Sequence, residues 1–537
     1  MTCGRIGADG SVVEPLTDDD LAALRDALAE RAPEAVAICL LFSWLRPELE
    51  QRLREVVPAD CFVSLSSEVL PEVREYERGM ATWLNAWVGP RVAGYLRRLG
   101  GALPGVPVSV MQSSGETMSA DQAAGQAVRM LLSGPAGGLV AAKHLGERAG
   151  FDRLLTFDMG GTSTDVALIE GELALTSEGR IGDWPVAVPM MDMHTIGAGG
   201  GSIAWLDEGG MLQVGPASAG ADPGPACYGR GGERPTVTDA NLLLGRLQAD
   251  AFLGGDMALD RGAAERAMRP VAEALDGDVL TAARAVIDVA NAHMARALRA
   301  ISIRRGVDTR GHLLVSFGGA GGLHVCELAE ALDMRQAMVP AHGGVLSALG
   351  MLVARPGRQL SITLMRDLGE ADLQAAVTEA LTRLRERAAA MLAPEGIVLE
   401  RAEAVVSADL RYRGQSHTLN LPWTGAADTA AAFHSLHAER YGHALDQPVE
   451  LVTLRLAVRG EGCGFRLPDW RADGRPDPRP VSVPGCGEVP LYRRETLPPG
   501  FAFAGPAIVA EQVATTWVAP GWRARVDDFG NLLLQRD

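Results

Sequence analysis

The run LLTFDMGGTSTDVALIE, Leu154 to Glu170, decides how the rest of the chain is read. Two β-rich pieces, Leu154–Phe157 and Val166–Ile169, flank a turn of small and hydroxylated residues, which predicts a β-hairpin. Two carboxylates, Asp158 and Asp165, bracket the turn. Gly160 and Gly161 let the backbone bend sharply and approach a ligand closely. Thr162, Ser163 and Thr164 add hydroxyls beside exposed amides, and successive N–H groups in a turn form an anion-binding concavity. A carboxylate at the strand end, Asp158, can hold Mg²⁺ through water or orient an attacking water. An ordinary hairpin with a Gly-Gly turn and solvated acids has the same local pattern. Only more distant sequence separates the two readings.

Working outward, 537 residues are too many for one domain. A hydrophobic fraction of 47% with 22% charged residues supports several buried cores rather than disorder. The net charge of −17 argues against general nucleic-acid binding, which needs basic patches. It leaves room for a single nucleotide held by backbone amides and Mg²⁺. The seven cysteines, Cys3, Cys39, Cys61, Cys227, Cys326, Cys463 and Cys486, include no CxxC pair. Neither a zinc site nor a disulfide framework is indicated, and a reducing cytoplasm is expected. No signal-peptide pattern opens the chain, and the apolar stretch Ala35–Leu45 is too short to span a bilayer.

Upstream of the hairpin, strands and helices alternate: a helix from Thr17, a strand at Ala35–Leu41, a helix at Pro47–Val57 and a strand at Cys61–Leu65. This is a thin domain. Glu72, Arg74, Glu75, Glu77 and Arg78 read as a salt-bridged surface. The stretch LLSGPAGG, residues 131–138, reads as a glycine loop entering a helix, which can set N–H groups against a phosphate. Downstream, Asp192 and His194 are two apart and would share one face of a strand as a metal or acid–base pair. The glycines of 197–201 permit close backbone approach. Leu313–Phe317 is a buried strand that runs into Gly318-Gly319-Ala320-Gly321-Gly322 and a helix. Strand, glycine loop and helix in that order suit a nucleotide, although the spacing is not that of a dinucleotide fingerprint. Cys326, in that helix, reads as packing rather than a nucleophile. A boundary is placed near Arg355-Pro356-Gly357. An amphipathic helix at Asp367–Leu392 and strands follow it, and the residues from Val481 onward read as a small β domain.

The DMGGTSTD hairpin, the later FGGAGG loop and the α/β alternation together resemble the actin, sugar-kinase and heat-shock-chaperone ATPase fold, in which two lobes clamp ATP. More narrowly, the chain resembles the hydantoinase A/oxoprolinase family. The matching segments include SSEVLPEVREYER (66–78), FDMGGTSTDVALIEG (157–171), HTIGAGGGSIAW (194–205), SAGADPGPACYGRGG (218–232), FGGAGGLH (317–324) and GPAIVAEQVATT (505–516). The resemblance implies residues 1–80 as the remnant of an N-terminal domain, 81–356 as an ATPase-like domain, and 357–537 as a C-terminal α+β domain with a β-rich end. It implies ATP and Mg²⁺ as cofactors and opening of a cyclic amide after phosphorylation of its carbonyl. A B-type partner subunit in a cytoplasmic hetero-oligomer is also implied, with neither nucleic acid nor membrane. Asp158 would hold the Mg²⁺–water shell, and Gly160, Gly161, Thr162, Ser163 and Thr164 would receive phosphates. Asp165 would order the turn, Gly318, Gly319, Ala320, Gly321 and Gly322 would approach the adenosine, and Asp192 and His194 would face the substrate. An ATP-dependent ketone carboxylase subunit would use the same site. Family members usually open with an earlier hairpin of the form DxGGTFTD. Nothing between Met1 and Gly10 matches it, which leads to the expectation of an incomplete first lobe and, as an alternative function, a non-catalytic assembly subunit.

Overall fold

The computed structural model describes residues 4–537, so Cys3 lies outside the described residues. Contacts divide the chain into two compact units. One gathers the residues up to Ser133 with 175–191 and 354–464; the other gathers 134–174, 192–353 and 465–537.

The second unit is built on an eight-stranded sheet. Its order is Met193–Ile196, Thr164–Glu170, Arg153–Met159, Leu313–Phe317, Gln336–Val339, Leu532–Arg536, Trp522–Val526 and Ala502–Ala504. Leu313–Phe317 runs parallel to both Arg153–Met159 and Gln336–Val339, while the flanking strands are antiparallel. Central parallel strands are covered on both faces, which is why LLTF and LLVSF read as unbroken apolar runs rather than alternating ones. Leu154, Leu155, Phe157 and every residue of Leu313–Phe317 are buried accordingly. The long helix Val279–Arg304 starts where the side chain of Asp278 accepts the Thr281 amide at 2.7 Å, and its face of Ala283, Val286, Ile287, Ala290 and Met294 joins the same core. The residues read as a terminal β domain are divided between two sheets. Arg479–Val483, Gly487–Arg493, Ala507–Ala510 and Thr515–Val518 form a four-stranded sheet, and the other three strands extend the central one.

The glycines of 131–138 do not form a phosphate loop. Gly134, Gly137 and Gly138 lie inside the helix Ser133–Arg148. A Cβ on Gly137 would stand 2.8 Å from the Ser347 carbonyl oxygen, and one on Gly350 only 1.8 Å from the Gly137 carbonyl oxygen. These small residues let the helix cross Leu346–Val353 with the two backbones in contact. Gly350→Ala is therefore expected to destabilise the fold by about 1–3 kcal/mol through overpacking, measured by denaturant unfolding.

The first unit carries an antiparallel sheet ordered Gly357–Asp367, Val449–Arg459, Glu403–Tyr412 and Leu419–Pro422. The helix Leu373–Leu392 buries Leu373, Val377, Ala380, Leu384, Ala388 and Leu392, the three-to-four spacing of an amphipathic helix. Ala35–Ile38 and Phe62–Leu65 pair in parallel. The charged cluster at 72–78 is only partly a surface. Arg78 is fully buried and donates to the carbonyls of Leu40 at 2.8 Å and Glu72 at 3.0 Å. Glu72 accepts both guanidinium arms of Arg455 at 2.8 and 2.9 Å. Sequence spacing cannot reveal this, because the partners lie on distant segments.

Candidate active site

The hairpin joins Arg153–Met159 to Thr164–Glu170, with Asp158 directly opposite Asp165. Opposed residues of an antiparallel pair share a face, so both carboxylates lie side by side. The Gly160 amide closes the turn on the Ser163 carbonyl at 3.1 Å. The amides of Gly161, Thr162 and Ser163 have no backbone partner among the described residues, and Gly161 and Thr162 are exposed. Neither turn glycine has a left-handed φ, and a Cβ on Gly161 would meet open space. The turn therefore does not need glycine in order to bend; the missing side chains leave its amides uncovered. Thr164 is placed differently from its neighbours, buried with its hydroxyl donating to the Ala198 carbonyl.

A second loop fixes the hairpin from behind. The amides of Gly200 and Gly201 donate to the carbonyls of Gly160 and Gly161, at 3.0 and 2.6 Å. A Cβ on Gly199 would lie 2.7 Å from the backbone of Gly161 and Thr162. Thr238 holds this loop in turn, its amide and hydroxyl both donating to the Gly200 carbonyl at 2.8 Å. Thr238 sits in the first turn of the helix Val237–Leu243, which opens with a capping box between Thr236 and Asp239. Asp239 also accepts the Cys227 amide at 2.7 Å, tying down the SAGADPGPACY loop. Gly199, Thr238 and Asp239 were not among the site residues expected from sequence, although Thr236-x-x-Asp239 before an apolar run carries a capping signal.

The FGGAGG loop reaches the hairpin because its strand ends beside it, with Phe317 in register with Asp158. Both loops thus lie at the carboxyl ends of parallel strands, where open α/β sheets bind ligands. The Ala320 amide donates to the Met159 carbonyl at 3.1 Å, and the Gly318 amide to Gly343 at 2.9 Å. Gly318 has φ +79°, and a Cβ there would fall 2.4 Å from both the Asp158 carboxylate and the Met159 carbonyl oxygen. Gly321 and Gly322 are buried, against Ser316 and against Thr515–Thr516, so the part of the loop open to a ligand is Gly318–Ala320.

Burial, and then the facing Asp165, raise the Asp158 carboxyl to about 6. Burial raises Asp165 as well, opposed by the hydroxyl of Thr195, which donates to it from the neighbouring strand. Among the described residues no arginine or lysine pairs with either acid. Two facing carboxylates without a cation suit a divalent ion whose remaining ligands are water and phosphate, the usual mode for Mg²⁺. No cluster of three or more His, Cys, Asp or Glu able to hold a metal exists among the described residues.

Asp192 and His194 are not brought to this centre. Thr195 is in register with Asp165, so the pleat turns His194 to the other face, opposite Val166. Asp192 pairs with the Arg305 guanidinium. Burial, with help from Arg304, lowers the His194 imidazole below its ordinary range. Burial pushes the Cys326 thiol up to about 12, so that residue packs rather than attacks.

The hydantoinase/oxoprolinase family model matches residues 78–359. Caprolactamase subunit alpha of Pseudomonas jessenii is 34% identical over 98% of this chain and 79% of its own length. The crystal structure of the ATP-dependent caprolactamase from Pseudomonas jessenii matches with a TM-score of 0.85 at 33% identity, covering 99% of this chain and 81% of that one. The nucleotide-free structure of acetone carboxylase matches with a TM-score of 0.77 at 26% identity, over 99% of this chain and 81% of that one. With a mixed α/β fold shared along nearly its whole length and a family match that takes in the hairpin and both glycine loops, the chain belongs to the hydantoinase/oxoprolinase family.

Proposed function

We propose that this chain binds ATP with Mg²⁺ at the hairpin and works, with a partner subunit, as a hydrolase that opens a cyclic amide. The observation that carries this reading is the turn itself. Three unpartnered amides, of Gly161, Thr162 and Ser163, stand between two carboxylates that lack a cation, and Gly318 is pressed against one of them. Backbone amides in such a turn donate to phosphate oxygens. Asp158 and Asp165 would hold the hydrated cation, and Thr195 keeps Asp165 oriented. Bound Mg²⁺ would supply charge neutralisation at the phosphates. Gly318–Ala320 offers a surface without side-chain bulk for the nucleoside. We extend this to the ATPase fold with two lobes, of which the eight-stranded sheet would be the core of one.

Phosphoryl transfer depends mainly on positioning and charge stabilisation, which a rigid hairpin supplies. In the proposed reaction the amide carbonyl oxygen forms a bond to the γ-phosphorus and ADP leaves. Water adds to the activated carbon, the ring C–N bond breaks with a proton passing to nitrogen, and an acyl phosphate results. A second water releases inorganic phosphate and the open amino acid. Neither Asp192 nor His194 is assigned a step. A relative named as a subunit alpha supports the hetero-oligomer. The expected result, with the partner subunit present, is Mg²⁺-dependent ADP release stimulated by a lactam from a panel of ring sizes. Absence of nucleotide binding at saturating MgATP would sink the proposal. The likeness to acetone carboxylase favours one second reading, ketone carboxylation; ADP release that requires both bicarbonate and a ketone would replace the first reading with it.

A further inference from the structure

The first unit contains a cavity of about 860 Å³ that has no part in the hairpin site. Its walls come from the segment 43–71, residues 112–129, the strand Gly357–Asp367 and one face of the helix Leu373–Leu392. Trp44 Nε1 and Ser67 Oγ are buried and have no hydrogen-bond partner among the described residues. The Arg129 guanidinium has one long contact, 3.5 Å to the Val69 carbonyl, and no ion pair within reach among the described residues. Burial lowers its pKa to about 10, opposed by Glu72 and Glu116 and helped by Arg387 and Arg358. Arg383 and Arg387 lie one helical turn apart on the wall, and no salt bridge holds either among the described residues. Like charges at that spacing weaken a helix unless something neutralises them. The Arg387 guanidinium is lowered by burial and then by Arg383.

The other charged groups of the walls do not resolve this excess. Arg54 is paired with Glu68 at 2.9 Å, and Arg358 is paired with Glu395. Asp121 and Glu379 also line the cavity, but both are exposed to solvent and unpaired with these arginines. Glu72 and Glu116 act on Arg129, and Glu68 on Arg387, only through space; their salt bridges are to Arg455, Arg459 and Arg54, and among the described residues none is to Arg129 or Arg387. The volume is too large for a bare ion and lies within the range of small-molecule pockets. Leu65, Val69, Leu360, Ile362 and Ala380 supply apolar wall between the donors.

We infer that this cavity is a binding site for a small organic oxyanion, a carboxylate or phosphate on an apolar body, held by Arg129 and Arg387 with Trp44 and Ser67 completing its hydrogen bonds. Guanidinium groups match such oxyanions bidentately, which makes arginine the fitting residue here. The site stands apart from the ATP reading and neither depends on it nor supports it.

Calorimetric titration of the full chain without nucleotide tests the inference, with hexanoate, hexyl phosphate and neutral hexanol as probes. At least one anion is expected to bind while hexanol does not, and the better anion identifies whether the head group is carboxylate or phosphate. Arg387→Gln should weaken that anion about tenfold, the equivalent of one charge-assisted hydrogen bond. Arg129→Gln should do the same, and Arg387→Gln on a half-exposed helix position should melt no lower than the parent without ligand. Equal binding of hexanol, failure of both anions at millimolar concentration, or anion binding indifferent to both arginine variants would overturn the inference.

Discussion

Asp158→Asn is expected to stabilise the protein while removing the proposed ATP-driven turnover. In the free protein Asp158 is a half-buried acid facing a second acid without a cation, and its pKa rises from 3.8 to about 6. A raised acid binds its proton more tightly folded than unfolded. The stability it contributes is therefore complete below 3.8 and is lost as pH rises through about 6. The difference is worth on the order of 3 kcal/mol above pH 7. An amide removes that penalty, so the variant should melt higher than the parent near pH 8, with the two converging near pH 4. Turnover with MgATP should fall by about 10²–10³, the usual cost of a lost electrostatic contact in a transition state. Melting curves across pH and ADP release, measured on the same preparations, check both halves. A variant that turns over within about threefold of the parent would take Asp158 out of the chemistry.

Gly318→Ala should damage the site from the opposite direction. Its φ of +79° costs an L-residue about 1–2 kcal/mol, and the new methyl would stand 2.4 Å from the Asp158 carboxylate and the Met159 carbonyl oxygen. Neither neighbour can retreat freely, because the Met159 carbonyl accepts the Ala320 amide. A total loss of at least about 2 kcal/mol is expected, with nucleotide affinity falling along with it. Gly161→Ala is the contrast. Its Cβ meets nothing within 4 Å and its φ is not left-handed. Stability should stay within about 0.5 kcal/mol of the parent, while the methyl beside the free amides weakens nucleotide binding. Unfolding and nucleotide titration on both variants separate a framework glycine from a ligand-facing one. Equal stability of the two would refute the close approach.

The same contrast explains what could be read in the sequence. The hairpin is legible because two apolar, β-prone runs flank a small-residue turn; that Asp158 and Asp165 stand directly opposite depends on the register the turn adopts. The strand before FGGAGG was legible as an apolar run. What the glycines do was not. Glycine marks a place where another atom comes close, but the identity of that atom is a tertiary fact. At Gly137 it is a neighbouring helix, at Gly199 the back of the hairpin, and at Gly318 a carboxylate. The role of Thr238 is not legible because it reaches from a helix to the Gly200 carbonyl of a loop 38 residues upstream. Asp192 lies outside the strand Met193–Ile196 and pairs with Arg305, and the strand period turns His194 away from Asp165.

The central sheet also has a consequence for how the protein is made. Gln336–Val339 pairs with Leu532–Arg536, which leave the ribosome about two hundred residues later. At about 5–20 residues per second that is a wait of roughly 10–40 seconds. Throughout it, the nascent chain presents an unpaired apolar edge of Ala337, Met338 and Val339, the kind of edge that recruits wrong partners. Meanwhile the intervening segment 354–464 must collapse into the other unit. Yield in a cell should therefore depend on elongation speed and on chaperones that shield nascent strands, independently of how stable the finished protein is.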